Sequence, residues 1–132
     1  MTYLEFKKSQ SEMINNLPII WAFSKARLIE KASEMGATID DLVSFGAGGY
    51  CLKSDVQLIN DTMAKAESDL VAFLADDDNL QSALEYELAN HEYCITYDET
   101  DTIYALNLDT DCERVRRILA KAKQSYLANC EF

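Results

Sequence analysis

Leu42-Val43-Ser44-Phe45-Gly46-Ala47-Gly48-Gly49-Tyr50-Cys51-Leu52-Lys53 is the stretch that decides the fold class. Two short apolar runs flank a glycine-rich turn. Glycine adopts positive φ at little cost, so the stretch reads as a β-hairpin with Gly46, Gly48 and Gly49 as its structural turn. Outside it the chain reads as mainly helical, because 132 residues hold only four glycines and one proline. With it the expected class is α+β: about five helices packed with a small two- or three-stranded antiparallel sheet, in a single globular domain over 1–132. The glycines do not form a phosphate loop, since no Gly-Lys-Ser/Thr end is present and a strand rather than a helix follows.

Upstream of the hairpin, Ser24 is the expected N-cap of a helix reaching about Met35, with Gly36 at its C′ position and Leu28, Ile29 and Ala32 inward. Ile19 to Phe23 is a short, bulky apolar run that reads as a buried strand. Thr2 and Glu5 make a capping box for a first helix with an apolar stripe of Tyr3, Phe6, Met13 and Leu17. Pro18 ends it by restricting the residue before it.

Downstream, Ser54 is the expected cap of a long helix over roughly 55–75. Val56, Ile59, Met63, Ala66, Leu70 and Phe73 recur there at spacings of three and four, opposite an acidic face. Asp76, Asp77 and Asp78 sit at the start of a further helix from about Leu80 to Tyr93, burying Leu80, Ala83, Leu84 and Leu88. Cys94 to Thr96 reads as extended, and Thr102 to Leu106 as a short helix capped by Thr100. A capping box of Thr110 with Glu113 opens a closing helix with Val115, Ile118, Leu119 and Ala122 inward.

Charge is distributed unevenly along these elements. Residues 1–53 are neutral, 54–113 carry sixteen acids against Lys65 alone, and the last nineteen residues are net +4, for a total of −11. Such a field repels nucleic acid and membrane surfaces and attracts a basic partner. The candidate partner-binding residues are therefore Asp61, Glu67, Asp69, Asp76, Asp77, Asp78, Asp98, Glu99 and Asp101, with Arg114, Arg116 and Arg117 as a secondary basic patch. The arginines are expected to pair with the chain's own acids or with a partner's carboxylates.

No catalytic residues are assigned. His91, the only histidine, begins a zincin-like His-Glu pair, but Ile95 stands where the second histidine would be needed, so His91 is expected to be structural. Glu87 lies four residues before it, on the same helix face. The acidic runs lack the glycine and the closing glutamate of a calcium loop, and no metal or cofactor is expected. The cysteines, Cys51, Cys94, Cys112 and Cys130, show no Cys-x-x-Cys spacing. With no apolar leader at the amino terminus they are expected to be reduced thiols, in the cytoplasm of a bacterial host cell.

Asn16-Leu17-Pro18-Ile19-Ile20-Trp21-Ala22-Phe23-Ser24, Ser44-Phe45-Gly46-Ala47-Gly48-Gly49-Tyr50 and Tyr86-Glu87-Leu88-Ala89-Asn90-His91-Glu92-Tyr93-Cys94, continuing to Thr100-Asp101-Thr102, together resemble a family of small phage and mobile-element proteins of gut-type bacteria. The resemblance spans roughly residues 3–107 and leaves the closing helix outside it. It implies a relation to anti-CRISPR proteins that inhibit type II RNA-guided nucleases, and supplies no catalytic residues. Such nucleases hold nucleic acid in basic channels. The leading expectation is thus a non-enzymatic acidic inhibitor that occupies a basic surface of a bacterial defence nuclease, with nucleic-acid mimicry as one means. One acid per four residues is about one per ~6 Å of helix, against one charge per ~1.7 Å of duplex axis. Mimicry therefore requires several acidic elements to converge. Two alternatives stand beside it: an acidic interaction or regulatory module with another target, and a small metal-dependent enzyme using His91 and neighbouring carboxylates.

Overall fold

Thr2 and Glu5 close the expected capping box at the start of the chain. The Glu5 N–H donates to Thr2 Oγ1 (3.1 Å) and the Thr2 N–H to the Glu5 carboxylate (3.2 Å). A computed structural model describes residues 1–130. Among them the elements run α1 (Tyr3–Asn15), β1 (Ile20–Trp21), α2 (Lys25–Glu34), β2 (Leu42–Gly46), β3 (Gly49–Leu52), α3 (Val56–Leu74), α4 (Asp77–Asn90), α5 (Tyr93–Thr96), α6 (Thr100–Ala105) and α7 (Glu113–Ala128). The fold is α+β, with seven helices where about five were expected. None of the described helices is long and apolar enough to cross a membrane.

The residues group into two compact units, one of Met1–Ser9 with the chain from Glu67 onward and the other of Gln10–Ala66. The second holds the sheet, in the order β1-β3-β2, all antiparallel. β2 and β3 are joined by Ala47 and Gly48, both at positive φ (53° and 80°), as a two-residue hairpin of the primed type requires. β1 is shorter than the five-residue strand expected, because it meets only the turn end of β3, through Ile20↔Tyr50 and Trp21↔Gly49. Burial, expected along the whole run, holds on one face only: Ile20 and Ala22 turn inward while Trp21 and Phe23 turn outward. Ser24 caps α2 as expected, accepting the Arg27 N–H at 3.2 Å. Ala32 is buried, but Ile29 is exposed.

Five predicted helix starts or extended runs change for local reasons. A 3-10 turn, Lys53–Asp55, leads directly into α3, so Ser54 caps nothing. Met63, expected inward on that helix, is exposed. Asp76 caps α4 three residues earlier than expected, and α4 ends at Asn90 because Glu92 adopts the left-handed conformation (φ 56°). The chain then restarts as a helical turn, the N–H groups of Ile95 and Thr96 donating to the Glu92 carbonyl, so Cys94 to Thr96 is helical rather than extended. Thr100 lies inside α6 rather than capping it. The Asp98 carboxylate takes the Thr100 N–H at 2.9 Å instead. Asp109 likewise takes the Asp111 N–H at 2.9 Å, and this Asx turn leaves Cys112, not Thr110, at the start of α7 with no side-chain cap.

In the first unit, α4 and α7 build the core from the expected stripes. Leu80, Ala83, Leu84 and Leu88 meet Ile118, Leu119 and Ala122, joined by Tyr3, Phe6 and Leu74. Phe6 stacks on Phe73 at 4.4 Å between centroids. A fully buried leucine is worth roughly 1.5–3 kcal/mol of transfer free energy, so Leu80, Leu84 and Leu88 of α4 each contribute substantially to this unit.

Candidate functional site

The predicted acids divide by what they do. Asp76 accepts the Asn79 N–H at 3.0 Å and caps α4. Asp77 receives Arg114 Nε at 2.7 Å, with Arg117 Nη2 at 4.0 Å. Glu99 pairs with Lys123. Asp61 accepts from Gln57 Nε2 (2.7 Å) along α3, in the other unit, and Glu67 from Asn107 Nδ2 (3.5 Å). Asp69 is half-buried, while Asp78 and Asp101 are exposed in the first turns of α4 and α6. The nine carboxylates thus divide between helix caps, ion pairs and exposed positions, and Asp61 belongs to a different unit from the other eight.

The arginines also separate. Arg114 donates through Nη2 to the carbonyls of Leu74 (2.8 Å) and Ala75 (3.0 Å), capping the C-terminal end of α3 while pairing with Asp77. Arg116 and Arg117 remain exposed.

Exposed acids and an exposed ring follow one another closely along the chain at α6. Tyr104 projects from it at 86% exposure. Asp98 and Asp101 stand at its first turn, Asp109 and Asp111 follow in the exposed loop beyond it, and Glu113 is the exposed first residue of α7. Six helical residues span about 9 Å, so exposed acids precede and follow one exposed tyrosine within a short length of chain. Asp98 is held below the usual carboxylate range by its hydrogen bonds with Thr100. Asn107 turns the chain after α6 at φ 52°. Beside this turn a cleft of about 290 Å³ has an apolar floor including Leu70, Val71, Leu106 and Leu108, with Glu67 and Asp109 in its walls. That volume is at the small end for a ligand pocket and suits a single side chain better than a cofactor. Tyr104 had no sequence signal of its own, since a tyrosine inside a short amphipathic helix reads equally well as core.

Glu87 and His91 do come together, but Glu87 is already occupied. It is 1% exposed, in line with the α4 core stripe, and accepts from Tyr3 Oη at 2.6 Å and Lys7 Nζ at 2.7 Å. Asn90 Nδ2 lies at 3.5 Å and His91 Nε2 at 3.3 Å from its other oxygen. Burial alone would raise the Glu87 pKa, yet the Lys7 and Tyr3 hydrogen bonds and the Lys7 charge outweigh it and hold the carboxyl below its usual range. Burial, with the bond to Glu87, pushes the Tyr3 phenol well upward. Among the described residues no three His, Cys, Asp or Glu side chains are placed to share a metal ion. Tyr3 and Lys7 escaped the sequence reading. The signal that could have found them was a carboxylate at position 87, three residues past Leu84, on the buried side of α4.

A family model matches residues 2–126, nearly the whole chain, and that family, DUF7659, is described as one of unknown function. The chain belongs to the DUF7659 family. Neither a curated protein nor a solved structure matches it. In this DUF7659 chain the matched region takes in both the sheet and the α6 face, and includes most of α7, which lay outside the sequence resemblance.

Proposed function

We propose that the chain is a non-enzymatic binding protein that docks the α6 face of its acidic unit on a basic surface of a bacterial defence nuclease of the RNA-guided type. The observation that carries this reading is Tyr104, 86% exposed, with exposed carboxylates both before and after it in the chain. Tyrosine is enriched among residues that dominate binding energy, because a rigid ring offers contact area at low entropic cost. Carboxylates around it select for arginine and lysine opposite, and a guanidinium can both stack on the ring and pair with the acids. The acidic unit carries sixteen acids against seven bases, a net −9, so long-range attraction reinforces local fit.

The RNA-guided target is drawn from the resemblance in residues 3–107, and the basic channels of such enzymes supply the complementary charge. The test is binding of the purified chain to a type II nuclease–guide complex, with DNA cleavage as readout. Inhibition is expected, weakened at least tenfold by Tyr104→Ala together with Asp98→Asn and Asp101→Asn. A complex that neither binds the chain nor loses cleavage activity over micromolar concentrations refutes the nuclease reading.

A further inference from the structure

Phe23 stands 86% exposed in the unit Gln10–Ala66, beside Trp21 at 50% and Phe45 at 47%. These rings collect at the hairpin turn because its glycines leave room for them. A Cβ on Gly48 would lie 2.6 Å from the Phe23 ring, and one on Gly49 would lie 2.5 Å from the Phe45 ring. Trp21 and Phe45 meet edge to face, their centroids 6.4 Å apart. The rings are therefore seated against backbone, yet face outward, and an exposed apolar cluster of this kind marks an interaction surface.

Two clefts share Ala22, Phe23 and Ser24 in their walls. One, of about 520 Å³, extends to Lys25, Leu28 and Tyr50, and the other, of about 480 Å³, to Trp21, Arg27 and Lys31. The charged residues lining them are Lys25, Arg27 and Lys31, with no carboxylate among the described lining residues. This contrasts with a chain of twenty-three acids and twelve bases.

The chemistry of the walls narrows the occupant. A cationic ligand in an aromatic cage would face three positive side chains, which disfavours it. Strand addition at β1 is obstructed, because Lys31 Nζ donates to the Trp21 carbonyl. A nucleic-acid strand needs a basic track along successive phosphates. Here Arg27 is paired with Glu30 at 3.3 Å and Lys31 holds the strand edge, so no run of free basic side chains is left to follow successive phosphates. What fits is a short segment with one apolar anchor and one or two negative charges.

We propose that this face binds an extended acidic peptide segment of another protein, in which an aromatic or large aliphatic residue stands next to Asp or Glu. The apolar side chain packs against Phe23 in the larger cleft, and the carboxylate meets Lys25. This site belongs to the other compact unit from the α6 face and is independent of the function proposed above.

Trp21 is the only tryptophan, so intrinsic fluorescence reports directly on the site. The experiment is selection of random heptapeptides on the full chain, followed by fluorescence titration with the enriched peptides made synthetically. Enriched sequences should place Phe, Tyr, Trp, Leu or Ile beside Asp or Glu and shift the Trp21 emission. Affinity should fall at least tenfold with Phe23→Ala, and Lys25→Glu with Arg27→Glu should turn the selection towards basic peptides. These side chains are exposed, and unchanged circular dichroism confirms that the variants fold. Enrichment indifferent to the charge reversal overturns the proposal. So does competition by oligothymidylate with equal strength, which assigns the face to nucleic acid, or dimerisation abolished by Phe23→Ala, which assigns it to a second copy.

Discussion

Glu87 is the residue through which pH acts most directly on the acidic unit. Its carboxyl is held low in the folded chain by Lys7 and Tyr3, against the opposing effect of burial. A depressed folded pKa means that this stabilisation is present above the unfolded glutamate value of about 4.3 and is lost as pH falls through the folded one. Glu87→Gln keeps the shape and removes the charge, so it should cost about 1–3 kcal/mol at pH 7. The gap between wild type and variant in urea melts should start to narrow below the unfolded value of about 4.3 and close only at more acid pH, once the native carboxyl, held lower still, is protonated; a gap constant with pH would show that the charge is irrelevant. Thr102 makes the opposite case. Its hydroxyl is buried without a hydrogen-bond partner among the described residues. Thr102→Val removes that unmet group at nearly equal volume and should stabilise by about 1 kcal/mol, read as a rise in urea midpoint.

At the scale of elements, the Asp76-Asp77-Asp78 run shows how charge and architecture compete for the same residues. Asp76 caps α4, and Asp77 anchors Arg114, which in turn caps α3. Asp76→Ala should therefore cost about 1 kcal/mol of stability. Asp78→Ala, at an exposed first-turn position, should cost no more than about 0.5 kcal/mol. Equal losses in parallel thermal melts would contradict this division of labour. The hairpin gives a second prediction. Gly48 sits at φ +80° with the Phe23 ring where a Cβ would go. Gly48→Ala should destabilise by more than about 1 kcal/mol and move the emission of the nearby Trp21, whereas substitution at Gly36, whose Cβ site is open, should leave that emission unchanged.

Over the whole molecule, the net −11 predicts salt-sensitive association with a basic partner. Exposed charges are screened beyond ~8 Å at physiological ionic strength, so raising salt should slow association more than it speeds dissociation. Surface plasmon resonance over a salt series checks this, and salt-indifferent association would reject electrostatic steering. The hairpin, the amphipathic stripes of α4 and α7, the caps at Thr2 and Ser24 and the overall charge were all determined by the sequence, because each rests on local propensity or on a period of two or 3.6 residues. Tertiary structure decided what those rules do not encode. It turned Trp21 and Phe23 outward, because β1 meets only the turn end of β3. It buried Glu87, because Tyr3 and Lys7 arrive from eighty or more residues away to satisfy it. It also committed Asp77 and Arg114 to helix ends rather than to a partner, since which charges meet depends on how helices pack and not on their spacing along the chain.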